Sequence, residues 1–273
     1  MYETYWQLKQ KPFENVADPR FYYPGESHQA ALCKLRYAIE NHRGGALLAG
    51  PSGVGKTLVT AMLAKCLGEA FTPLVRLTFP QMSTQELLAY LADELDGAEP
   101  AALNPGLQVS IRRIQRFLAA NSEQGRHAVL VIDEAHLLEG VQTFEALRLL
   151  LNFESGGAPA LTLLLVGQPA VLPLLDRMPQ WEEQLGVKCL LRPFSETETA
   201  AYVEHRLRVA GAVRSIVDAD AMPTLHALTH GIARRINRLC DLALLVGFAE
   251  EQAMLGAEQF EAVSQELVAV AAE

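Results

Sequence analysis

The residues with the most chemical content are Gly50-Pro51-Ser52-Gly53-Val54-Gly55-Lys56-Thr57, which fit G-x-x-x-x-G-K-[ST] and stand between a short apolar run and a helical pattern. Such a loop curls because its glycines accept backbone angles closed to other residues. Its successive N–H groups then converge on phosphate oxygens at a helix N-terminus. Lys56 supplies charge for the β- and γ-phosphates, Thr57 a hydroxyl for Mg²⁺, and Leu58 lies in the same first turn. A chance glycine-rich turn needs neither the strand before it nor the helix after it. The expected ligands are ATP and Mg²⁺.

A second constellation is Val129-Leu130-Val131-Ile132 followed by Asp133 and Glu134. Four apolar residues read as a buried strand, and the acids fall where that strand leaves the sheet, the edge at which open α/β sheets bind ligands. Asp133 is expected in the Mg²⁺ shell and Glu134 as the group that polarises the attacking water. The other use of such a pair is to cap a turn.

Short apolar strands are expected at Ala46–Ala49, Leu74–Thr78, Val129–Asp133, Leu161–Val166 and Lys188–Leu191, alternating with amphipathic helices at Lys56–Leu67, Thr84–Leu95, Val109–Ala120 and Thr143–Asn152. A further helix runs from Glu26 to Gly44-Gly45. This alternation predicts an α/β fold with a five-stranded parallel sheet. Ser83 with Glu86 and Ser195 with Glu198 fit the capping box and mark two helix starts. After Pro193 only helical patterns follow, at Thr197–Ala210, Ala219–Thr229, Ala233–Ala249 and Ala257–Val270. The expected domains are therefore residues 1–192, with an aromatic and proline-rich arm at 1–25, and a helical domain at 193–273.

Of 273 residues, 50% are hydrophobic and 20% charged, which excludes intrinsic disorder. The net charge of −9 gives no global pull toward nucleic acid. Arg112, Arg113 and Arg116 still form a local basic cluster on one helix. The four cysteines form no Cys-x-x-Cys pair, and no apolar run approaches the roughly 20 residues needed to span a bilayer. With no secretory leader pattern at Met1–Lys11, a cytoplasmic location is expected. His226 and His230 stand four apart without a third ligand, a weak metal signal. Phe13, Phe21 and Tyr23 either stack on adenine or pack in a core.

The loop, the acidic pair, the following strand and the helical C-terminal region resemble an AAA+ ATPase. Three further stretches resemble the ExeA/GspA-like branch, the general secretion pathway protein A ATPases: Lys11-Pro12-Phe13 with Asp18-Pro19-Arg20-Phe21, Asp133-Glu134-Ala135-His136, and Leu165-Val166-Gly167-Gln168-Pro169. The resemblance implies a P-loop NTPase of AAA+ type with a helical lid, and it covers nearly the whole chain. It places a polar sensor at Gln168, whose other use is as a turn residue before Pro169. It places a γ-phosphate-sensing arginine at Arg234, three residues after Gly231, although Arg234, Arg235 and Arg238 also read as a solvated basic face. His136 is read as positioning.

The family pattern departs at Gln184, which stands where an arginine that completes a neighbouring subunit's site is expected; Arg177 is the nearest earlier candidate. The resemblance further implies an ATP-dependent homo-oligomer and a protein partner in a secretion or pilus system at the inner membrane. The membrane anchor that longer relatives carry is not expected in this chain, so docking through that partner is expected. A DNA-associated regulator similar to TniB/TnsC-type transposition ATPases is a second reading. A slowly hydrolysing nucleotide-binding scaffold is a third.

Overall fold

The computed structural model describes residues 1–97 and 106–270. Along the chain the elements are α1 (Glu26–Glu40), β1 (Gly45–Ala49), α2 (Lys56–Cys66), β2 (Leu74–Leu77), α3 (Thr84–Asp96), α4 (Leu107–Glu123), β3 (Ala128–Ile132), α5 (Gly140–Leu150), β4 (Glu154–Ser155), β5 (Ala158–Pro159), β6 (Leu161–Gly167), α6 (Val171–Asp176), α7 (Pro179–Gln184), β7 (Leu185–Leu190), α8 (Glu196–Val209), α9 (Met222–Thr229), α10 (Ala233–Ala249) and α11 (Ala257–Val270). They divide into two compact units. One comprises Ala30–Gly50 and Met62–Leu191; the other comprises Met1–Gln29, Pro51–Ala61 and the chain from Arg192 onward.

The first unit holds the expected five-stranded sheet, in the order β2-β3-β6-β1-β7 with every neighbour pair parallel. Every residue of β1, β3 and β6 is buried, which is why these strands read as apolar runs, interrupted in β6 by the buried Thr162. The edge strand β2 alternates half-buried and buried residues instead, with Arg76 on the half-buried face. Leu47, Leu77, Leu130, Ile132, Leu163 and Leu165 form the centre of the core with Leu87, Leu91 and Trp181. Asp133 falls one residue beyond β3, because the strand begins and ends one position earlier than the apolar run suggested. The capping box of Ser83 and Glu86 is present at the start of α3. Between Gln168 and β7 lie α6 and α7, six residues each, too short to impose a helical period on the sequence.

The second unit corrects the expected boundary. The arm at residues 1–25, expected with the nucleotide-binding domain, packs into the helical core. Trp6 is fully buried and donates from Nε1 to Leu244 O at 2.9 Å. Arg206, also buried, donates to Pro12 O at 2.6 Å and Glu14 O at 2.9 Å, and lies 4.5 Å over the Phe21 ring. Phe13 and Phe21 are core residues, and Tyr23 meets Phe194 edge-on at 5.6 Å. Packing therefore accounts for all three aromatics. The helix expected over Ala219–Thr229 is a 3₁₀ turn, Ala219–Ala221, followed by α9, whose first turn accommodates Pro223. The second capping box joins Ser195 and Glu198. His226 Nδ1 is paired with Thr199 Oγ1 at 2.9 Å.

Candidate nucleotide-binding site

In a parallel sheet all strands end at one edge, so β1, β3 and β6 deliver Gly50, Asp133 and Gln168 to the same side. The Gly50 N–H donates to Gly167 O at 3.2 Å, and the Asp133 N–H to Leu77 O at 2.8 Å. Asp133 is buried. Its Oδ1 accepts from the Glu134 N–H at 3.0 Å, and its Oδ2 accepts from Arg76 Nη2. Both carboxylate oxygens are thus hydrogen-bonded, and Arg76 compensates the charge.

Glu134 has φ +50°, a left-handed conformation that costs a non-glycine residue about 1–3 kcal/mol. The 3₁₀ turn Ala135–Leu137 follows at once. His136 Nδ1 lies 3.5 Å from Glu134 Oε2 and 3.4 Å from the Gln168 N–H. The Gln168 N–H donates to His136 Nδ1, and His136 thereby joins the β3 and β6 ends. A Cβ at Gly167 would approach His136 N to 3.3 Å, which explains the glycine before Gln168. Of the sequence candidates, Gly50, Asp133, Glu134, His136 and Gln168 meet here.

The phosphate loop proper belongs to the second unit. Gly53 and Gly55 have φ +79° and +106°, values at which any side chain is strained. A Cβ on Gly53 would lie 2.8 Å from Arg234 Cβ, and one on Gly55 would lie 3.3 Å from His28 Nε2. Two carbonyls of the loop are held from outside. Gly53 O accepts from the Arg234 N–H at 3.0 Å, and Val54 O pairs with His28 Nε2 at 2.8 Å. Peptides are trans, so fixing these carbonyls turns the N–H groups of Val54 and Gly55 the opposite way. Burial holds the His28 imidazole below its ordinary pKa, so it is neutral and donates from Nε2. His28 is packed 4.9 Å from the Phe194 ring.

Lys56 is buried, and its Nζ folds back to Pro51 O at 3.0 Å. Thr57 is exposed, whereas the Leu58 N–H is engaged by Gly55 O at 3.0 Å. Arg234 presents its guanidinium to solvent, as do Arg235 and Arg238. Its backbone N–H makes the hydrogen bond to the loop. The loop's N–H groups, the Lys56 ammonium and the Thr57 hydroxyl are groups of the kind a polyphosphate takes, and the Asp133 carboxylate is an oxygen donor of the kind a hard divalent cation takes.

Gln184 lies at the end of α7, where its backbone O would be 2.8 Å from a Cβ on Gly45, at the start of β1. Arg177 ends α6 and is exposed. Arg113 is tied to Asp93 at 2.6 Å and Asp96 at 2.8 Å, so the cluster with Arg112 and Arg116 is partly neutralised. His28 and Arg76 were not legible as functional from sequence, because their partners are 26 and 57 residues away.

A parallel sheet with a glycine loop leaving β1 and an acidic pair leaving β3 defines a P-loop nucleotide-binding fold. The family described as AAA domain matches residues 39–175, and the chain belongs to it. General secretion pathway protein A of Aeromonas hydrophila is 37% identical over 252 residues, covering 91% of this chain and 45% of that protein. The chain thus spans less than half the length of that relative. Cdc6p from Pyrobaculum aerophilum is similar in structure, with TM-score 0.74 at 18% identity over 93% of this chain and 70% of that one. The Aeropyrum pernix ORC1 protein, solved in complex with DNA, gives 0.69 at 16% identity over 96% and 69%. These structures show the AAA+ fold. Among the described residues no helix is long and apolar enough to cross a membrane.

Proposed function

We propose that this protein binds ATP with Mg²⁺, hydrolyses it, and uses the nucleotide state to switch a partner assembly. The observation that carries the reading is the glycine loop with two outward carbonyls fixed, which leaves the N–H groups of Val54 and Gly55 free to cradle phosphate. Gly50, Pro51, Ser52 and Gly53 form the approach to that cradle. Lys56 compensates charge on the β- and γ-phosphates. Bound Mg²⁺ would supply Lewis-acid stabilisation, with Thr57 and Asp133 as its protein oxygen donors.

Glu134 accepts the proton of the attacking water. His136 positions the Gln168 peptide, and Gln168 orients the water or the γ-phosphate as the sensor. Arg234 meets the γ-phosphate with its guanidinium, while its own N–H reads the loop at Gly53. Phosphate occupancy is thereby coupled to the start of α10 and to the helices packed on it, the surface through which a partner senses ATP. The identity with general secretion pathway protein A supports a secretion component as that partner; the assembly proposed is a secretion or pilus system at the inner membrane. The protein then works as an ATP-dependent homo-oligomer, cytoplasmic and peripheral to the membrane.

One experiment tests the reading. Glu134→Gln should bind ATP with Mg²⁺ like the wild type but lose turnover, and Lys56→Ala should lose binding itself, both read by calorimetry and phosphate release. Unchanged turnover in the first variant, or tight ATP binding by the second, overturns the assignment.

A further inference from the structure

Asp133, read here as the magnesium ligand, already carries protein partners on both oxygens. Its Oδ1 accepts the Glu134 N–H at 3.0 Å and its Oδ2 accepts Arg76 Nη2. Arg76 stands opposite Val131 in the β2–β3 register, so its side chain and that of Asp133, two residues further along the chain, share one face. The pairing is asymmetric. Asp133 is 6% exposed. The Arg76 side chain is 31% exposed, on the edge strand of the sheet. Among the described residues Arg76 hydrogen-bonds to Asp133 alone, and its buried Nε has no partner. The guanidinium is therefore held by one carboxylate and is partly open to solvent, whereas the carboxylate is nearly enclosed.

A divalent cation that takes Asp133 competes with this guanidinium, for the oxygen and through direct repulsion. We infer that Arg76 is the resident counter-ion of Asp133 and a positioning residue that sets how much Mg²⁺ the nucleotide site requires. In the free protein it neutralises a carboxylate that would otherwise be buried with its charge uncompensated, a costly state. When the cation takes Asp133, the guanidinium yields the Oδ2 contact and turns toward solvent. The inference rests on Asp133 being the metal ligand, and it concerns the affinity of the site, not the chemical step.

The test uses the full chain, with Mn²⁺ as a spectroscopically visible substitute for Mg²⁺. Binding is followed by electron paramagnetic resonance in the presence of a non-hydrolysable ATP analogue, and thermal melting is followed without nucleotide. An opposite charge moves the proton affinity of a neighbouring carboxylate by about 1–3 pK units, so Arg76→Gln should bind Mn²⁺ at least about tenfold more tightly than the wild type. Without nucleotide it should melt below the wild type in chelator and recover on adding Mg²⁺, but not on adding sodium chloride of equal ionic strength. Arg76→Lys lacks the planar fork and should bind Mn²⁺ to an intermediate degree; it carries the test alone if the glutamine variant does not fold. Unchanged or weaker Mn²⁺ affinity, or equal recovery with sodium chloride, overturns the inference. Failure of the wild-type protein to bind the ATP analogue would instead overturn the ATPase reading, with the nucleotide-free melts still deciding on Arg76.

Discussion

Replacing His28 with alanine removes the donor that holds the Val54 carbonyl without touching any group expected to meet the nucleotide. The imidazole is 4% exposed and its Nε2 is 2.8 Å from Val54 O, so no water takes its place without cost. A buried carbonyl left without a donor loses about 1–3 kcal/mol. The Val54–Gly55 peptide can then rotate to regain a partner, which turns the Gly55 N–H out of the phosphate cradle. Since 1.4 kcal/mol is about a tenfold change in affinity, ATP and ADP should both weaken by about ten- to a hundredfold. Both carry the phosphates that this part of the loop cradles, so the two losses should match. Adenosine, which has no phosphate, should be unaffected. His28→Gln, whose side-chain amide donates from a comparable reach, should recover most of the loss. Calorimetry with the three ligands decides the matter. Wild-type affinity in His28→Ala, or an equal loss for adenosine, would refute the brace and leave His28 as ordinary packing under Phe194.

Three other outcomes follow from the same geometry. Arg234→Ala should weaken ATP by about ten- to a hundredfold while sparing ADP, because a charge-assisted hydrogen bond is worth about 1.5–3 kcal/mol and its N–H contact to Gly53 survives the substitution; equal loss for both nucleotides in calorimetry refutes it. Trp6→Ala should destabilise the helical unit by about 3–5 kcal/mol, as loss of a fully buried tryptophan does, and a denaturant midpoint shift worth less than about 1 kcal/mol would show the arm to be an appendage. Glu198 is pushed up by burial, but Arg192 and the N–H groups of Ser195 and Glu26 prevail and hold it at about 2. Its folded pKa is thus below its unfolded one, so the stability it contributes is present above the ordinary carboxylate range and is lost as pH falls toward about 2. Acid unfolding followed by circular dichroism should accordingly show a shallower loss in Glu198→Gln than in the wild type.

The sequence by itself determined the elements whose signals are local. A short apolar run unbroken by charge reads as a buried strand, so β1, β3 and β6 were legible to within a residue or two. Ser83 with Glu86 and Ser195 with Glu198 marked two helix starts, since each box closes within one turn. The phosphate loop and Asp133-Glu134 were legible for the same reason: their residue types and spacing carry the chemistry without reference to distant chain. Tertiary structure alone decided the rest. It drew the arm into the helical core, where Trp6 finds Leu244 O and Arg206 finds Pro12 O, contacts that span 238 and 194 residues. It set His28 under Val54, Arg234 on Gly53 and Arg76 on Asp133. Side chains near each other only after folding leave no periodicity to read, and a lone histidine or arginine in an amphipathic segment looks like any other until its partner arrives. What the nucleotide site is made of is therefore written in short motifs, whereas what holds it in shape and charge is fixed by long-range packing, because burial creates those partnerships and only the folded chain creates burial.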